Sequence, residues 1–329
     1  MTSASPDSWS LKHATSRGEA IHPNSPAGRY APSPTGDLHL GNLRTALLAW
    51  LFARASGRAF RLRVEDLDAA RVRPGMAERQ QQDLAALGLT FDGEPMVQSE
   101  RSAAYRQALA RLADRTYECF CSRREIAEAT LAPHGAPRSY PGTCRALTGS
   151  ERDRRRQTRT PALRVRADGA VQTVLDELRG RVTRPVDDFV VQRNDGVTAY
   201  MLAVVVDDAA MGVDQVVRGD DLLAAAPDQA WLATVLGLPV PAYAHVPLVL
   251  NAAGGRLAKR DGAVTLTDLT AAGIGSGAVL GMLATSLGLA APGEPVTVEL
   301  LLERFDPSLL PTDPWLWDPR NGAPAQPGV

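Results

Sequence analysis

The strongest constraint on the fold lies between residues 29 and 66. Arg29-Tyr30-Ala31 is a short extended run, and Pro32-Ser33-Pro34-Thr35-Gly36-Asp37-Leu38-His39-Leu40-Gly41-Asn42 reads as a tight turn. Leu43, Leu47, Leu48, Leu51 and Phe52 then recur at helical spacing, predicting a helix over 41–55. A second extended run, Phe60-Arg61-Leu62-Arg63-Val64, ends in Glu65-Asp66. Helices are predicted near 75–88 and 101–115, so strand and helix alternate as a parallel α/β sheet requires. Phe189-Val190-Val191, Ala203–Val206, Val213–Val217 and Val246–Leu250 are apolar runs that resume the alternation as strands.

Residues 116–187 have a different texture. They hold all three cysteines, an arginine-rich run from Arg152 to Arg159 and proline-marked turns. The expected organisation is one nucleotide-binding domain in two halves, 29–115 and 188–265, split by this insertion. Residues 1–28, rich in Ser and Pro without periodicity, read as a disordered extension. Residues 266–329 read as a short helical segment.

The formal net charge of −1 gives no bulk attraction to nucleic acid, so any RNA contact must be local. No apolar run reaches the roughly 20 residues that a membrane span needs, and the N-terminus lacks a signal-peptide core. A cytoplasmic monomer without membrane attachment is expected. Three clustered cysteines make no disulfide framework.

The turn at residues 32–42 places free backbone N–H groups at a helix N-terminus, where the macrodipole attracts phosphate. Gly36 and Gly41 allow close approach, and His39 is a further donor. More than two hundred residues on, Arg256-Leu257-Ala258-Lys259-Arg260 lies between Gly254-Gly255 and Asp261-Gly262. Among 36 basic residues the only lysines are Lys12 and Lys259, and a lysine retained against such a bias suggests work for a flexible ammonium. A solvated loop charge is the plainer alternative. Together the two segments suggest ATP chemistry.

Arg29 and Ser33 end the first predicted strand, Glu65 the second and Arg218 a later one, while Tyr200 precedes an apolar run closing with Asp207-Asp208. Ligands of open α/β sheets bind at that carboxyl edge. Two guanidinium groups, a carboxylate and a phenol suit an amino acid with an acidic side chain. Ordinary strand-end ion pairs are the alternative for any one of them taken singly. Cys119-Phe120-Cys121 and Cys144 give three thiolates able to meet around a tetrahedral ion, which needs a fourth ligand. His134 is the choice that donor chemistry favours.

The two segments resemble the HIGH and KMSKS signatures of class I aminoacyl-tRNA synthetases. Arg29–Asn42 and Arg63-Val64-Glu65-Asp66-Leu67-Asp68 are similar to the glutamyl-tRNA synthetase group, over about residues 29–265. Asn42 replaces the final His of the first signature, and Ala258 replaces the Ser before the lysine of the second. The resemblance implies a Rossmann-type sheet split by a zinc-bearing insertion. It also implies a ligase using ATP, Mg²⁺ and L-glutamate, with His39, Gly41, Asn42 and Lys259 on ATP. Arg29, Tyr30, Ala31, Pro32, Ser33, Glu65, Tyr200 and Arg218 would hold glutamate, and the zinc ligands would be Cys119, Cys121, Tyr140 and Cys144.

Only about sixty residues follow the second signature, too few for the group's helical anticodon-binding domain. The chain therefore resembles the truncated glutamyl-queuosine branch, which activates glutamate without tRNA and transfers it to queuosine at the wobble position of tRNA(Asp). Val204, where full-length enzymes usually have Asn, fits an altered active site. A minimal synthetase charging an acceptor end and a non-catalytic zinc-containing RNA-binding protein are the rival expectations.

Overall fold

The computed structural model describes residues 25–122, 124–126, 140–257 and 264–318. β1 (Ala27–Tyr30) pairs in parallel with β2 (Ala59–Val64), and β3 (Met96–Val97) extends the sheet beyond β2. The connection between β1 and β2 is the helix α1 (Leu40–Ala55), whose leucines 43, 47, 48 and 51 are all buried. A Cβ on Gly28 would come within 2.9 Å of the Ala53 Cβ. Only glycine lets α1 lie this close to β1.

β9 (Gln215–Gly219) and β10 (Ala242–Val246) form a second parallel pair, with Arg218 opposite His245. A parallel bridge from Ala27 to Val213 joins the two sets, supported by Ala27 N–H to Gly212 O at 3.1 Å and Asp214 N–H to Ala27 O at 3.0 Å. The order β3-β2-β1-β9-β10 therefore reverses direction between β1 and β9. Such a switch point opens a crevice at the carboxyl ends of the strands.

The rest of the sheet pairing crosses the sequence boundary at 187. β4 (Thr116–Cys119), β5 (Ala162–Val165) and β8 (Val190–Gln192) make an antiparallel sheet of their own. The hairpin of β6 (Val171–Asp176) and β7 (Gly180–Pro185) instead extends the main sheet, through Asp176 opposite Tyr243 of β10. An element from the cysteine-bearing stretch thus reaches the strand beside Arg218.

Helices α2 (Met76–Ala86) and α3 (Ser102–Arg111) lie near their sequence expectations, and α4 (Gly149–Arg156) overlaps the first part of the arginine-rich run. Ala203–Val206 does not form the expected strand: it lies inside α5 (Tyr200–Ala210). Its three valines lose about 0.5 kcal/mol each in a helix, while burying Leu202, Val204 and Val205 contributes roughly 1.5–3 kcal/mol each, so packing decides. α6 (Ala226–Val235) packs against α5, with Trp231 edge-on to Phe189 at 6.2 Å. The run Val246–Leu250 is divided at Pro247 between β10 and β11 (Val249–Asn251). Beyond 264, three helices form where one or two were expected: α7 (Leu266–Ala271), α8 (Ser276–Ser286) and α9 (Val298–Arg304). Strand β12 (Trp315–Trp317) then pairs with β11. No helix among the described residues is long and apolar enough to cross a membrane.

Candidate active site

α1 begins with a reciprocal cap. The Asn42 N–H donates to His39 Nδ1 at 3.3 Å, and the His39 N–H donates to Asn42 Oδ1 at 3.2 Å. The backbone N–H at position 42 thereby fixes the ring: with Nδ1 accepting, the neutral imidazole carries its proton on Nε2. Burial holds the His39 pKa below its ordinary value and favours that neutral form. Leu40 donates its N–H to Val264 O at 2.8 Å. A Cβ on Gly41 would fall 2.9 Å from His39 Cε1, whereas one on Gly36 would meet nothing within 4 Å. The close approach that glycine permits is therefore Gly41 to the imidazole.

At the strand ends, charged groups converge. Arg29 donates through Nε to Asp208 Oδ1 at 3.3 Å and through Nη1 to Val217 O at 3.1 Å. Arg63, fully buried, bonds the same Asp208 oxygen and donates to Glu65 Oε1 at 3.0 and 3.3 Å. Burial would raise the Asp208 pKa, but Arg63 and Arg29 outweigh it and hold the carboxyl below its ordinary range. Burial raises the Glu65 pKa and Arg63 opposes the rise. Tyr200 stands in the first turn of α5, within the fields of Arg218, Glu65, Arg29 and Asp208.

Arg218 differs from its neighbours. Its donors go to His245 Nε2 at 3.0 Å, Gln229 Oε1 at 2.7 Å and Leu222 O at 3.3 Å, all neutral acceptors. Other expected contacts are structural in this geometry. The Tyr30 hydroxyl donates to Asn42 O at 3.2 Å, and Pro32 O accepts the Glu65 N–H at 3.0 Å. Ala31 continues β1 toward the turn, and Ser33 lies on the cavity described next. Val204 is buried with Leu202, Trp231 and Leu232. Lys259 and Ala258 lie outside the described residues, as does His134.

A cavity of about 1070 Å³ runs from Ser33, Glu65 and Tyr200 to Cys119 and Cys121, with Arg159 and Arg193 on its wall. Tyr200 is 41% exposed because it lines this space. At the far end the sulfurs of Cys119, Cys121 and Cys144 lie within 4.8 Å of one another, Cys121 and Cys144 at 3.5 Å. Zn–S bonds of about 2.3 Å in a tetrahedron require sulfurs roughly 3.8 Å apart, so the group suits such an ion. The Tyr140 hydroxyl is 3.4 Å from Cys119 Sγ and 3.6 Å from Cys121 Sγ. Among the described residues these cysteines are the group of metal-type ligands that could hold an ion.

Reading the sequence by strand ends passed over Arg63, Asp208, Asp176 and His245. Arg63 had no distinguishing signal, since Arg61 alternates with Phe60, Leu62 and Val64 in the same strand and only burial separates the two. The adjacent acids Asp207-Asp208 had one, once the run before them is taken as a helix. Asp176 had none, because its register on β10 is set entirely by tertiary pairing.

Residues 27–292 match the family model described as tRNA synthetases class I (E and Q), catalytic domain. The chain is 62% identical over 293 residues to the glutamyl-Q tRNA(Asp) synthetase of Nocardia farcinica, covering 88% of this chain and 92% of that protein. Against the protein of the same name from Cutibacterium acnes, identity is 53% over 272 residues, covering 82% and 78%. The fold superposes on the crystal structure of a glutamate tRNA ligase from Elizabethkingia meningosepticum in complex with its amino acid, at a TM-score of 0.76 and 26% identity. That match covers 91% of this chain and 68% of the other. Fold and sequence therefore agree: the chain belongs to the class I synthetase family of the E and Q type, in its glutamyl-Q tRNA(Asp) synthetase branch, and is a ligase.

Proposed function

We propose that this ligase activates L-glutamate with ATP in the absence of tRNA and transfers the glutamyl group to the queuosine base at the wobble position of tRNA(Asp). The observation that carries this reading is the charge balance of the sheet edge. Three guanidinium groups, Arg29, Arg63 and Arg218, face two carboxylates, Asp208 and Glu65, and Arg218 bonds neither. Glutamate, with two carboxylates and one ammonium, supplies the single negative charge that balances the set. A buried cation with no carboxylate in direct contact is costly, and the amino acid supplies that contact.

Arg29 and Tyr200 are assigned to the side-chain carboxylate, Ser33 and Glu65 to the ammonium end, and Arg218 to a carboxylate. The glutamate α-carboxylate attacks the α-phosphorus of ATP in line, forming the acyl–phosphate bond and releasing pyrophosphate. No covalent nucleophile is needed, only positioning and charge stabilisation. The His39 Nε2–H and the start of α1 are assigned to the phosphates, with Lys259 assigned there from the sequence. Mg²⁺ accompanies ATP. A hydroxyl of the queuosine cyclopentenediol then attacks the mixed anhydride, forming the ester and releasing AMP.

Zinc is the metal proposed for Cys119, Cys121, Cys144 and Tyr140, and when bound it would supply rigidity only, cross-linking the end of β4 to the turn at 140–144. Residues 29–115 and 188–265 are assigned to the activation chemistry, and 116–187 to the wall that the anticodon loop meets, through arginine contacts to phosphate. The test is glutamate-dependent ATP–pyrophosphate exchange without tRNA, followed by incubation with radiolabelled glutamate and tRNA(Asp) containing or lacking queuosine. Label on the queuosine-containing tRNA alone is the expected result. Label on tRNA(Glu) instead would overturn the reading in favour of acceptor-end charging.

A further inference from the structure

Arg218 lies at the end of a buried chain of polar groups that leads away from the cavity. Its Nε–H meets His245 Nε2 at 3.0 Å, and His245 Nδ1 meets Asp176 Oδ2 at 2.6 Å. His245 is wholly buried, and Asp176 is 2% exposed. The guanidinium nitrogen has only a proton to give, so Nε2 must accept and the imidazole proton must sit on Nδ1, facing Asp176. The carboxylate is fixed in turn: Oδ1 accepts the N–H groups of Leu178 at 3.0 Å and Arg179 at 2.8 Å, and the His245 N–H also reaches it. The Tyr243 ring stacks on His245 at 6.0 Å and lies under the Arg218 guanidinium at 5.5 Å.

We propose that Asp176 and His245 are positioning residues for glutamate recognition, which set the imidazole tautomer so that Arg218 is oriented by a neutral acceptor and keeps its charge for the substrate carboxylate. This rests on the assignment of Arg218 to glutamate. A carboxylate placed directly on Arg218 would orient it equally well, but would cancel the charge that the substrate must meet. An imidazole between the two keeps the geometry and moves the anion one residue away. Gln229, 3% exposed, does the same at Nη1. The relay also explains why the β6–β7 hairpin belongs to the main sheet: it delivers Asp176 to the back of the site.

The relay makes an unusual prediction for Asp176→Asn. Because Oδ1 already accepts two backbone N–H groups, the amide oxygen must stay there and the NH₂ must face His245 Nδ1. The ring then accepts at Nδ1 and carries its proton on Nε2, against the Arg218 Nε–H. A nearly isosteric change thus turns an acceptor into a donor without making a cavity.

Steady-state ATP–pyrophosphate exchange on the full chain tests this. Asp176→Asn and His245→Phe should each raise the glutamate KM roughly tenfold, the lower end for loss of one hydrogen bond made by a charged group, with the ATP KM unchanged. His245→Gln, which keeps an acceptor, should recover most of the loss. Arg218→Ala is the control and should raise the glutamate KM roughly a hundredfold. If Arg218→Ala leaves glutamate alone, both the relay and the assignment of Arg218 fall. If it acts as expected while Asp176→Asn and His245→Phe do not, only the relay falls. Equal losses toward ATP and glutamate, or no recovery with Gln, would show a merely structural role. Should His245→Phe not fold, the nitrogen chemical shifts of His245 in Asp176→Asn decide, since the relay requires the proton to move from Nδ1 to Nε2.

Discussion

His39, Gly41 and Asn42 show how closely single residues are matched at the start of α1. Asn42 supplies both halves of the cap, and Gly41 leaves the only room in which the His39 ring can accept it. A methyl at position 41 would sit 2.9 Å from Cε1 and 3.0 Å from Nδ1 of the ring, and 3.4 Å from Val249 Cβ. The imidazole is the softest of these neighbours and must rotate, giving up the Asn42 N–H. Gly41→Ala is therefore expected to lower kcat for exchange by roughly ten- to a hundredfold, since a displaced group one ångström out of place costs about that much. The glutamate KM should hold, because the strand-end charges are elsewhere. Asn42→Ala removes only the side-chain half of the cap, the Oδ1 that accepts the His39 N–H, keeps the backbone N–H on His39 Nδ1, and should be milder, at most about 1 kcal/mol of helix stability. Wild-type ATP kinetics in Gly41→Ala would show that the imidazole does not serve the phosphates.

Among the elements, the first βαβ unit was legible from the sequence because its signals are local. Apolar residues at helical spacing, glycines at the turn and a polar strand end all lie within about forty residues. α5 was not legible in the same way. Ala203-Val204-Val205-Val206 carries strong β preference, and what makes it helical is burial against Trp231 and Leu232. Partners for Asp207 complete the case: Gln98 at 2.9 Å, Arg101 at 3.1 Å and Tyr105 at 2.6 Å. All come from a segment a hundred residues earlier. The length from Tyr200 to Ala210 without a polar alternation was the missed sign.

A similar long-range tie joins α1 to the C-terminal helices. Arg44, 1% exposed, donates to Pro247 O at 2.9 Å and to the side chain and carbonyl of Ser286 at 3.0 and 3.4 Å. Burial without a carboxylate partner lowers its pKa to about 10. Arg44→Met keeps the volume but leaves these acceptors unsatisfied, which should cost about 2–4 kcal/mol. Denaturant unfolding measures the loss, and hydrogen exchange should show it concentrated in α8. A loss below about 0.5 kcal/mol, the range of ordinary surface changes, would mean that the tie is dispensable.

In the whole molecule, four apolar clusters of unequal size form among the described residues, and the smallest lies at the cavity. The main sheet rests on an extended cluster that includes α1, α8 and α9. The cysteine end rests on five buried residues, Tyr117, Cys119, Phe120, Tyr140 and Cys144. So small a cluster would gain rigidity from a bound ion. Cys119 and Cys121 nevertheless share a cavity with Glu65 and Tyr200. The proposed metal would thus stiffen one wall of the site without touching the groups assigned to activation. Cys144→Ser should lower the metal content from one ion per chain, measured by mass spectrometry, and raise hydrogen exchange at 116–122 and 140–147. Exchange of pyrophosphate should persist within a few-fold, because the sheet-edge charges are carried on β1, β2, β9 and α5, whose apolar residues pack in the larger clusters. Transfer of glutamate to tRNA should fall roughly ten- to a hundredfold, as for lost support of a site. Equal loss of both activities would show that the cysteine end and the sheet edge are mechanically one, and a wild-type protein purified without metal in any preparation would overturn the ion itself.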